Sequence, residues 1–215
     1  MSKYTDRYEA GKVLAKKFTA YANRSDVIVL ALPRGGVPVA YEIAEALLAP
    51  LDVFIVRKLG VPGHEELAMG AIAMGGVVVF NEDIIRDLKL PQTAIDHVIE
   101  AEQKELKRRE LIYRGDRSSL HLAGKTIILV DDGIATGANV RAAIKALRQQ
   151  KPNRIILAVP VAEVTICQEM EMLADQVVCP KKVEHFYAVG QWYQDFSQTT
   201  DIEVHELLAK VDQPK

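Results

Sequence analysis

The chain has few cysteines and no excess of charge of either sign. Its two cysteines, Cys167 and Cys179, form neither a CxxC pair nor the set of four that a structural zinc site needs. With 27 basic and 29 acidic residues the net charge is −2, which argues against a dedicated nucleic-acid-binding protein. The sequence also lacks a signal-peptide pattern and an apolar run long enough to cross a membrane. We therefore expect a cytoplasmic protein with no membrane partner and no nucleic-acid partner.

The composition is that of an ordinary globular domain. Hydrophobic residues make up 49% of the chain and charged residues 26%, values typical of a folded protein with a sizeable core. A length of 215 residues suits one α/β domain with a small additional hood. We expect a single domain over 1–215, with the hood formed by 180–215.

Continuous apolar runs alternate along the chain with segments of helical periodicity. The runs predict buried strands, and the segments between them predict helices. The strands are expected at 27–32, 52–56, 127–130, 154–160 and 176–179, and the helices at 4–21, 39–48, from about 137 onward, and 163–173. This order predicts an α/β fold with a doubly wound, mainly parallel sheet, in which functional residues lie at the carboxyl ends of the strands.

A long helix is predicted over 91–114, outside the regular alternation. Its dense charge is typical of a solvated helix face with i, i+4 ion pairs. The alternative is that this helix packs against a partner subunit, and on that basis we expect a homodimer.

Two carboxylates and a glycine-containing loop follow the apolar run 127–130. Asp131 and Asp132 are suited to accept hydrogen bonds from two neighbouring hydroxyl groups. In the next seven residues, Gly133 and Gly137 allow close approach to an anion, Thr136 offers a hydroxyl, and a helix start supplies free amides. Diol and phosphate together indicate a ribose 5-phosphate site. The alternative is that two acids and a glycine only end a strand in a turn.

A second glycine-containing loop follows the strand 27–32. Arg34, Gly35 and Gly36 precede a helix, and the arginine charge suits a polyphosphate. The alternative is a tight βα turn with a surface arginine. Lys58, which follows the next predicted strand, could reach the same polyphosphate; Arg57 could do so instead, or both could lie on the surface.

The segment 127–139 resembles the phosphoribosyl diphosphate (PRPP) motif of the type I phosphoribosyltransferases. That motif is a hydrophobic strand, two acidic residues and a loop of the form x-x-x-T-G-x-T; Asn139 stands here where threonine is usual. The resemblance extends over nearly the whole chain. It implies that PRPP is bound by Arg34, Gly35, Gly36, Lys58, Asp131, Asp132, Gly133, Ile134, Ala135, Thr136, Gly137, Ala138 and Asn139. It also implies a Mg²⁺ ion that Asp131 and Asp132 hold indirectly, through PRPP or water.

The family also has a flexible loop, which the resemblance places at 60–76. Such a loop closes over PRPP and excludes water. His64 and Glu66 are candidates for contact with the ligand. A zinc-protease site is excluded, because Ala68 stands where the second histidine of that helical motif is required.

Aromatic residues are concentrated after Pro180. Phe186, Tyr187 and Trp192 could stack on a planar base, and Val189 belongs to a short segment that resembles the base site of purine phosphoribosyltransferases. The alternative is that these rings only pack the hood. Lys181 and Lys182 could touch a base carbonyl or lie in solvent.

The resemblance implies transfer of ribose 5-phosphate from PRPP to a purine or pyrimidine base, with release of pyrophosphate. Asp131, Asp132, Arg34 and Lys58 are the expected catalytic residues, acting by electrostatic stabilisation rather than as nucleophiles. Two alternatives remain open. One is a catalytically inactive PRPP- or nucleotide-binding regulator, and the other is a hydrolase acting on a phosphorylated ribose.

Overall fold

The computed structural model describes residues 2–118 and 120–211, and its centre is a five-stranded parallel sheet. The strand order is β2-β1-β6-β7-β9. These strands are β1 (Val27–Ala31), β2 (Leu51–Val53), β6 (Thr126–Val130), β7 (Arg154–Ala158) and β9 (Gln176–Val178). The prediction of an α/β fold with a mainly parallel sheet is confirmed.

Two smaller sheets flank the central one. An antiparallel sheet contains β3 (Val56–Val61), β4 (His64–Ala73) and β5 (Val77–Phe80), and a parallel pair contains β8 (Val161–Glu163) and β10 (Lys181–Val183). The helices are α1 (Arg7–Ala15), α2 (Gly36–Leu47), α3 (Glu82–Asp87), α4 (Gln92–Arg114), α5 (Ala138–Gln149), α6 (Val164–Glu171) and α7 (Asp201–Val211).

The central strands are apolar on both faces, and each face has its own core. In β1, Val27 and Val29 belong to the core that α1, α2 and α7 cover, whereas Ile28 and Leu30 belong to the core under α5 and α6. Alternate side chains of a strand point to opposite faces, so a strand buried on both sides favours apolar residues at nearly every position. This is why the apolar runs of β1 and β6 are continuous and why Asp131 and Asp132 occur only where β6 ends.

Most of the segment 60–76, which the resemblance places as a flexible loop, is a β-hairpin in the structure. The chain turns at Pro62–Gly63 and returns as the ten-residue strand β4. Gly70 allows β4 to pair closely with β5, because a Cβ there would lie 2.5 Å from the carbonyl oxygen of Val79 on β5. The small alanine and glycine residues in the second half of the segment therefore allow neighbouring strands to approach closely. Their small size is also typical of a loop.

Two further boundaries differ from the prediction. The first helix is α1, which ends at Ala15 and is followed by a separate 3₁₀ turn over Thr19–Tyr21. The C-terminal helix α7 lies within the region predicted as a hood, but its Val204 and Leu208 are buried in the core that α1 and α2 also line.

The long helix α4 carries its charges in pairs along its exposed side. Glu100 pairs with Lys104, and Glu105 pairs with both Arg108 and Arg109. Such pairs are typical of a solvated helix face, and the homodimer stays a prediction. Among the described residues, no helix combines the length and apolar character needed to span a membrane.

A buried ion pair fixes the end of α4 to the central sheet. Arg114 Nη2 lies 2.9 Å from Asp52 Oδ2, and both side chains are 4% exposed. Arg114 also donates to the Ser118 carbonyl oxygen at 2.8 Å, and Asp52 Oδ1 accepts from the Val53 amide at 2.8 Å. Each charge thus has several partners, as burial of an ion pair requires.

We predict that Arg114→Met lowers the free energy of unfolding by about 3–5 kcal/mol, because it leaves the Asp52 carboxylate buried without its counter-charge. The measurement is urea unfolding at neutral pH. Arg24→Met is the matched control: the Arg24–Asp26 pair is 43% and 40% exposed, and its loss is expected to cost less than about 1 kcal/mol. Equal, small effects of both substitutions would contradict the prediction.

Candidate functional site

The two acidic residues lie at the carboxyl end of β6, in the middle of the central sheet. Both are half-buried. The backbone amide of Asp132 donates to Asp131 Oδ1 at 2.9 Å, so the first carboxylate accepts a hydrogen bond from the peptide that follows it. This is the sheet edge at which parallel α/β folds bind their ligands.

The loop after these acids forms a cavity of about 230 Å³. Its lining consists of Asp131, residues 133–140 and Val189. Ile134 anchors the loop, since its side chain is 2% exposed and its amide donates to the Val161 carbonyl oxygen at 3.1 Å. Gly137 adopts φ 75° at the N-cap of α5, a conformation that favours glycine.

The phosphate loop, residues 133–139, is held from behind by an arginine on α5. Arg141 Nη2 donates to the Thr136 carbonyl oxygen at 2.9 Å, while its Nη1 pairs with Glu169 of α6 at 2.7 Å. Among the hydrogen bonds of the described residues, the amides of Ala135 and Gly137 have no acceptor within the chain. Free amides, a hydroxyl and a helix N-terminus are the groups that bind a phosphate.

The second glycine-containing loop lies directly against the acids. A Cβ on Gly35 would overlap the Asp132 carboxylate, and a Cβ on Gly36 would lie 2.7 Å from the Val130 carbonyl oxygen. The Pro33–Arg34 peptide is cis. The structure therefore brings the two predicted ligand loops together at adjacent strand ends.

The predicted cations have different surroundings. Arg34 Nη1 lies 3.3 Å from Asp201 Oδ1 at the start of α7, with 35% of its side chain exposed. Lys58 lines a separate cavity of about 350 Å³ between the β3–β5 sheet and α5, which meets the phosphate loop at Ala138 and Asn139. Its ammonium is 3.3 Å from Glu66, whose side chain is fully exposed.

Arg57, the alternative to Lys58, is held elsewhere. Its guanidinium lies 2.6 Å from Glu102 on α4, and both side chains are only about a quarter exposed. The pair joins β3 to α4. Of the two adjacent cations, Lys58 is therefore the one next to the phosphate loop.

An arginine from the first helix pairs with the second acid, and sequence reasoning missed it. Arg7 Nε lies 2.8 Å from Asp132 Oδ2, with side-chain exposures of 10% and 13%. The Arg7 guanidinium also donates to the Ser197 carbonyl oxygen at 2.7 Å and lies 3.8 Å from the centre of the Phe196 ring. Because 125 residues separate Arg7 from Asp132, no local pattern indicates the pair.

The two carboxyl groups share a site that disfavours their ionisation. Burial raises the pKa of Asp131 well above its ordinary value, and the charge of Asp132 raises it further. Burial also raises the pKa of Asp132, while Arg7 opposes this effect. The acids therefore differ: Asp132 has a counter-charge within the chain, and Asp131 lines the cavity.

Of the four predicted base-site residues, one lines this cavity and one packs against a small aromatic cluster beside it. Val189 lines the cavity, and Trp192 packs against the cluster of Tyr4 and Tyr193. Tyr187 is 82% exposed and Phe186 is half-buried. The Tyr193 hydroxyl, not among the predicted site residues, donates to the Asp132 carbonyl oxygen at 2.6 Å.

The described residues offer no resident metal site of the usual kind. Within 2–118 and 120–211, no group of three or more histidine, cysteine, aspartate or glutamate side chains is arranged to hold a metal ion. Asp131 is the acidic residue in the lining of the phosphate-loop cavity.

We predict that Asp131→Asn raises the melting temperature by a few degrees at pH 7. Folding raises the pKa of Asp131, so the wild-type protein loses stability as pH rises from about 4 through that raised value, and asparagine removes this loss. The amide oxygen can still accept from the Asp132 amide. The measurement is thermal unfolding of both proteins at pH 7 and pH 4. The difference between their melting temperatures should be smaller at pH 4 than at pH 7.

Asp116→Asn, at an exposed position, is the control for that substitution. It should leave the melting temperature unchanged at both pH values. A lower melting temperature of Asp131→Asn at pH 7 would contradict the prediction, because it would mean that the ionised carboxylate stabilises the fold.

The chain is similar in sequence to several known proteins. It is 45% identical over 208 residues to "Putative phosphoribosyl transferase Rv0571c" of Mycobacterium tuberculosis, a match that covers 97% of this chain and 47% of that protein. The chain thus spans about half the length of this relative. It is 33% identical over 123 residues to "Bifunctional protein PyrR" of Brevibacillus brevis, covering 54% of this chain and 67% of that one.

A solved structure and a family model agree with these relatives. The crystal structure of TT1426 from Thermus thermophilus superposes with a TM-score of 0.86 at 36% identity, covering 97% of this chain and 98% of the other. The model of the phosphoribosyl transferase domain matches residues 62–196, well over half of the chain, including both acids and the phosphate loop. The chain therefore belongs to the phosphoribosyl transferase domain family.

Proposed function

We propose that this protein transfers ribose 5-phosphate from PRPP to a nitrogen atom of a purine or pyrimidine base and releases pyrophosphate. The observation that carries the proposal is the cavity of about 230 Å³ at the end of β6, which is lined by Asp131 and by the loop whose amides at Ala135 and Gly137 have no acceptor among the described residues. These groups match the diol and the 5-phosphate of one molecule.

The phosphate loop would anchor the 5-phosphate. The free amides of Ala135 and Gly137 and the Thr136 hydroxyl are donors, and the N-terminus of α5 adds its dipole. Asn139, at the second position of α5, can donate from its side-chain amide although it lacks the usual threonine hydroxyl. Binding at this remote group fixes the ribose carbon at which the reaction occurs.

Asp131 would accept hydrogen bonds from the ribose hydroxyls. It is the acid that lines the cavity, and ligand donors would favour its ionised form, which the free protein disfavours. A carboxylate close to C1 also stabilises positive charge there as the bond to pyrophosphate breaks.

Arg34 and Lys58 would bind the pyrophosphate. Arg34 can exchange its Asp201 partner for the ligand, because that contact is 3.3 Å long and partly exposed. When bound with PRPP, Mg²⁺ would supply positive charge that stabilises the leaving pyrophosphate. Asp131, and Asp132 beside it, would contact the cation through PRPP or water.

The chemistry then requires no nucleophile from the protein. The bond between C1 and the pyrophosphate oxygen breaks, its electron pair leaves with pyrophosphate, and the base nitrogen forms the new bond to C1 and loses its proton. Water must be kept from C1 for transfer to prevail over hydrolysis. The β3–β4 hairpin is the candidate cover, because it packs on α5, whose first residues line the cavity.

The experiment that tests the function measures pyrophosphate released from PRPP and Mg²⁺ with a panel of purine and pyrimidine bases. We expect release that depends on one base, and we expect the double variant Asp131→Asn/Asp132→Asn to abolish it. Release without any base would indicate a hydrolase. PRPP binding without release for any base would contradict the transferase and leave the regulator.

We predict that Arg34→Met raises the KM for PRPP about 10- to 100-fold, because a charge-assisted hydrogen bond to an anion contributes roughly 1.5–3 kcal/mol. Steady-state kinetics with varied PRPP provide the measurement. Arg24→Met is the control, since Arg24 is an exposed arginine paired with Asp26. An unchanged KM for Arg34→Met would show that Arg34 does not bind the pyrophosphate.

A further inference from the structure

We propose that Arg7 is a positioning residue for the PRPP site: it holds the Asp132 carboxylate against the Gly35 loop and so leaves Asp131 as the acid that faces the ligand. This inference rests on the proposed function. Arg7 itself lines neither the phosphate-loop cavity nor the cavity beside Lys58, so it would act through Asp132.

Three contacts fix the Arg7 guanidinium. Its Nε pairs with Asp132, its Nη1 donates to the Ser197 carbonyl oxygen, and its plane lies over the Phe196 ring at 3.8 Å. The start of α1 is fixed as well, because the Asp6 side chain accepts from the Glu9 amide at 2.8 Å and caps the helix. Arg7 therefore presents its charge from a rigid support.

The Asp132 carboxylate is confined from two sides. Arg7 holds one side, and on the other the carboxylate occupies the space that a Cβ of Gly35 would need. Rotation of the carboxylate into the cavity would break a nearly buried ion pair, whose loss is costly. Gly35 and Arg7 thus both determine where the Asp132 carboxylate lies.

The backbone of Asp132 is held by the same part of the molecule. The Tyr193 hydroxyl donates to its carbonyl oxygen at 2.6 Å, and Tyr193 packs on Phe196 with ring centres 5.2 Å apart. Arg7 binds both the side chain of Asp132 and the segment 196–197. Loss of Arg7 would therefore release Asp132 toward Asp131, where the two like charges repel.

A purely structural ion pair is the competing explanation, and a double-mutant cycle separates the two. The cycle uses the full chain with Arg7→Met, Asp132→Asn and both together, and it measures the Kd of PRPP with Mg²⁺ by titration calorimetry. We expect Arg7→Met to weaken PRPP binding about tenfold. In the Asp132→Asn background the same substitution should change the Kd less than about twofold, because Arg7 then has no carboxylate to position.

Two further variants separate the positioning role of Arg7 from a general loss of stability. Arg7→Lys retains the charge and should recover most of the lost affinity, even if Arg7→Met lowers the melting temperature. Arg24→Met is the matched control: Arg24 also pairs with an aspartate and lies over a tyrosine ring, at 5.2 Å, but the pair is exposed. It should leave the Kd unchanged.

The outcomes distinguish this inference from the proposed function. If the wild-type protein does not bind PRPP, the proposed function fails and the inference fails with it. If the wild-type protein binds PRPP but Arg7→Met weakens binding by the same factor with and without the Asp132→Asn substitution, the positioning role alone is overturned. An unchanged Kd in Arg7→Met also overturns it.

Discussion

The constraint on which the site depends is that two adjacent carboxylates end one strand in the middle of the sheet. Consecutive residues of like charge in a half-buried position repel each other. The fold separates their surroundings: Asp132 has Arg7 at 2.8 Å, whereas Asp131 lines the phosphate-loop cavity and accepts from a backbone amide. The acid that lines the cavity is thus the one without a counter-charge of its own. Such a group is costly in the free protein and suited to accept donors from a ligand.

The rest of the fold can accommodate this cost because the strands next to the site are mostly apolar and buried. β1, β6 and β7 are flanked by two cores, and β1 and β6 are buried along their whole length. Hydrophobic burial is the main favourable contribution to folding, so an unfavourable pair at the edge does not decide the net stability. The small sheet β3–β5 is different: the first four residues of β4 are exposed. Segments with few buried contacts open most readily, which suits an element proposed to cover a ligand.

Most of the central sheet and the position of the loop 133–139 before a helix could be predicted from sequence because both depend on local patterns. A run such as 127–130 indicates a buried strand, and acids followed by spaced glycines indicate a loop that binds a ligand. The role of Arg7 could not be predicted, since its partners Asp132 and Phe196 are distant in sequence. The β3–β4 hairpin was missed for another reason. Gly70 and its alanine neighbours have low strand propensity, and the close approach of β5 explains them only once the pairing is known.

The two halves of the site differ in how they are supported. The phosphate loop depends on its immediate neighbourhood: Ile134 bonds to β8, and Arg141 joins the loop to α6. The acid pair depends on long-range contacts from α1 and from the segment 193–197. A change in α1 would therefore alter the acid pair before it altered the loop 133–139. Coupling of this kind needs contact through a shared partner, and Asp132 is that partner, because the first helix, the Gly35 loop and the aromatic segment all touch it.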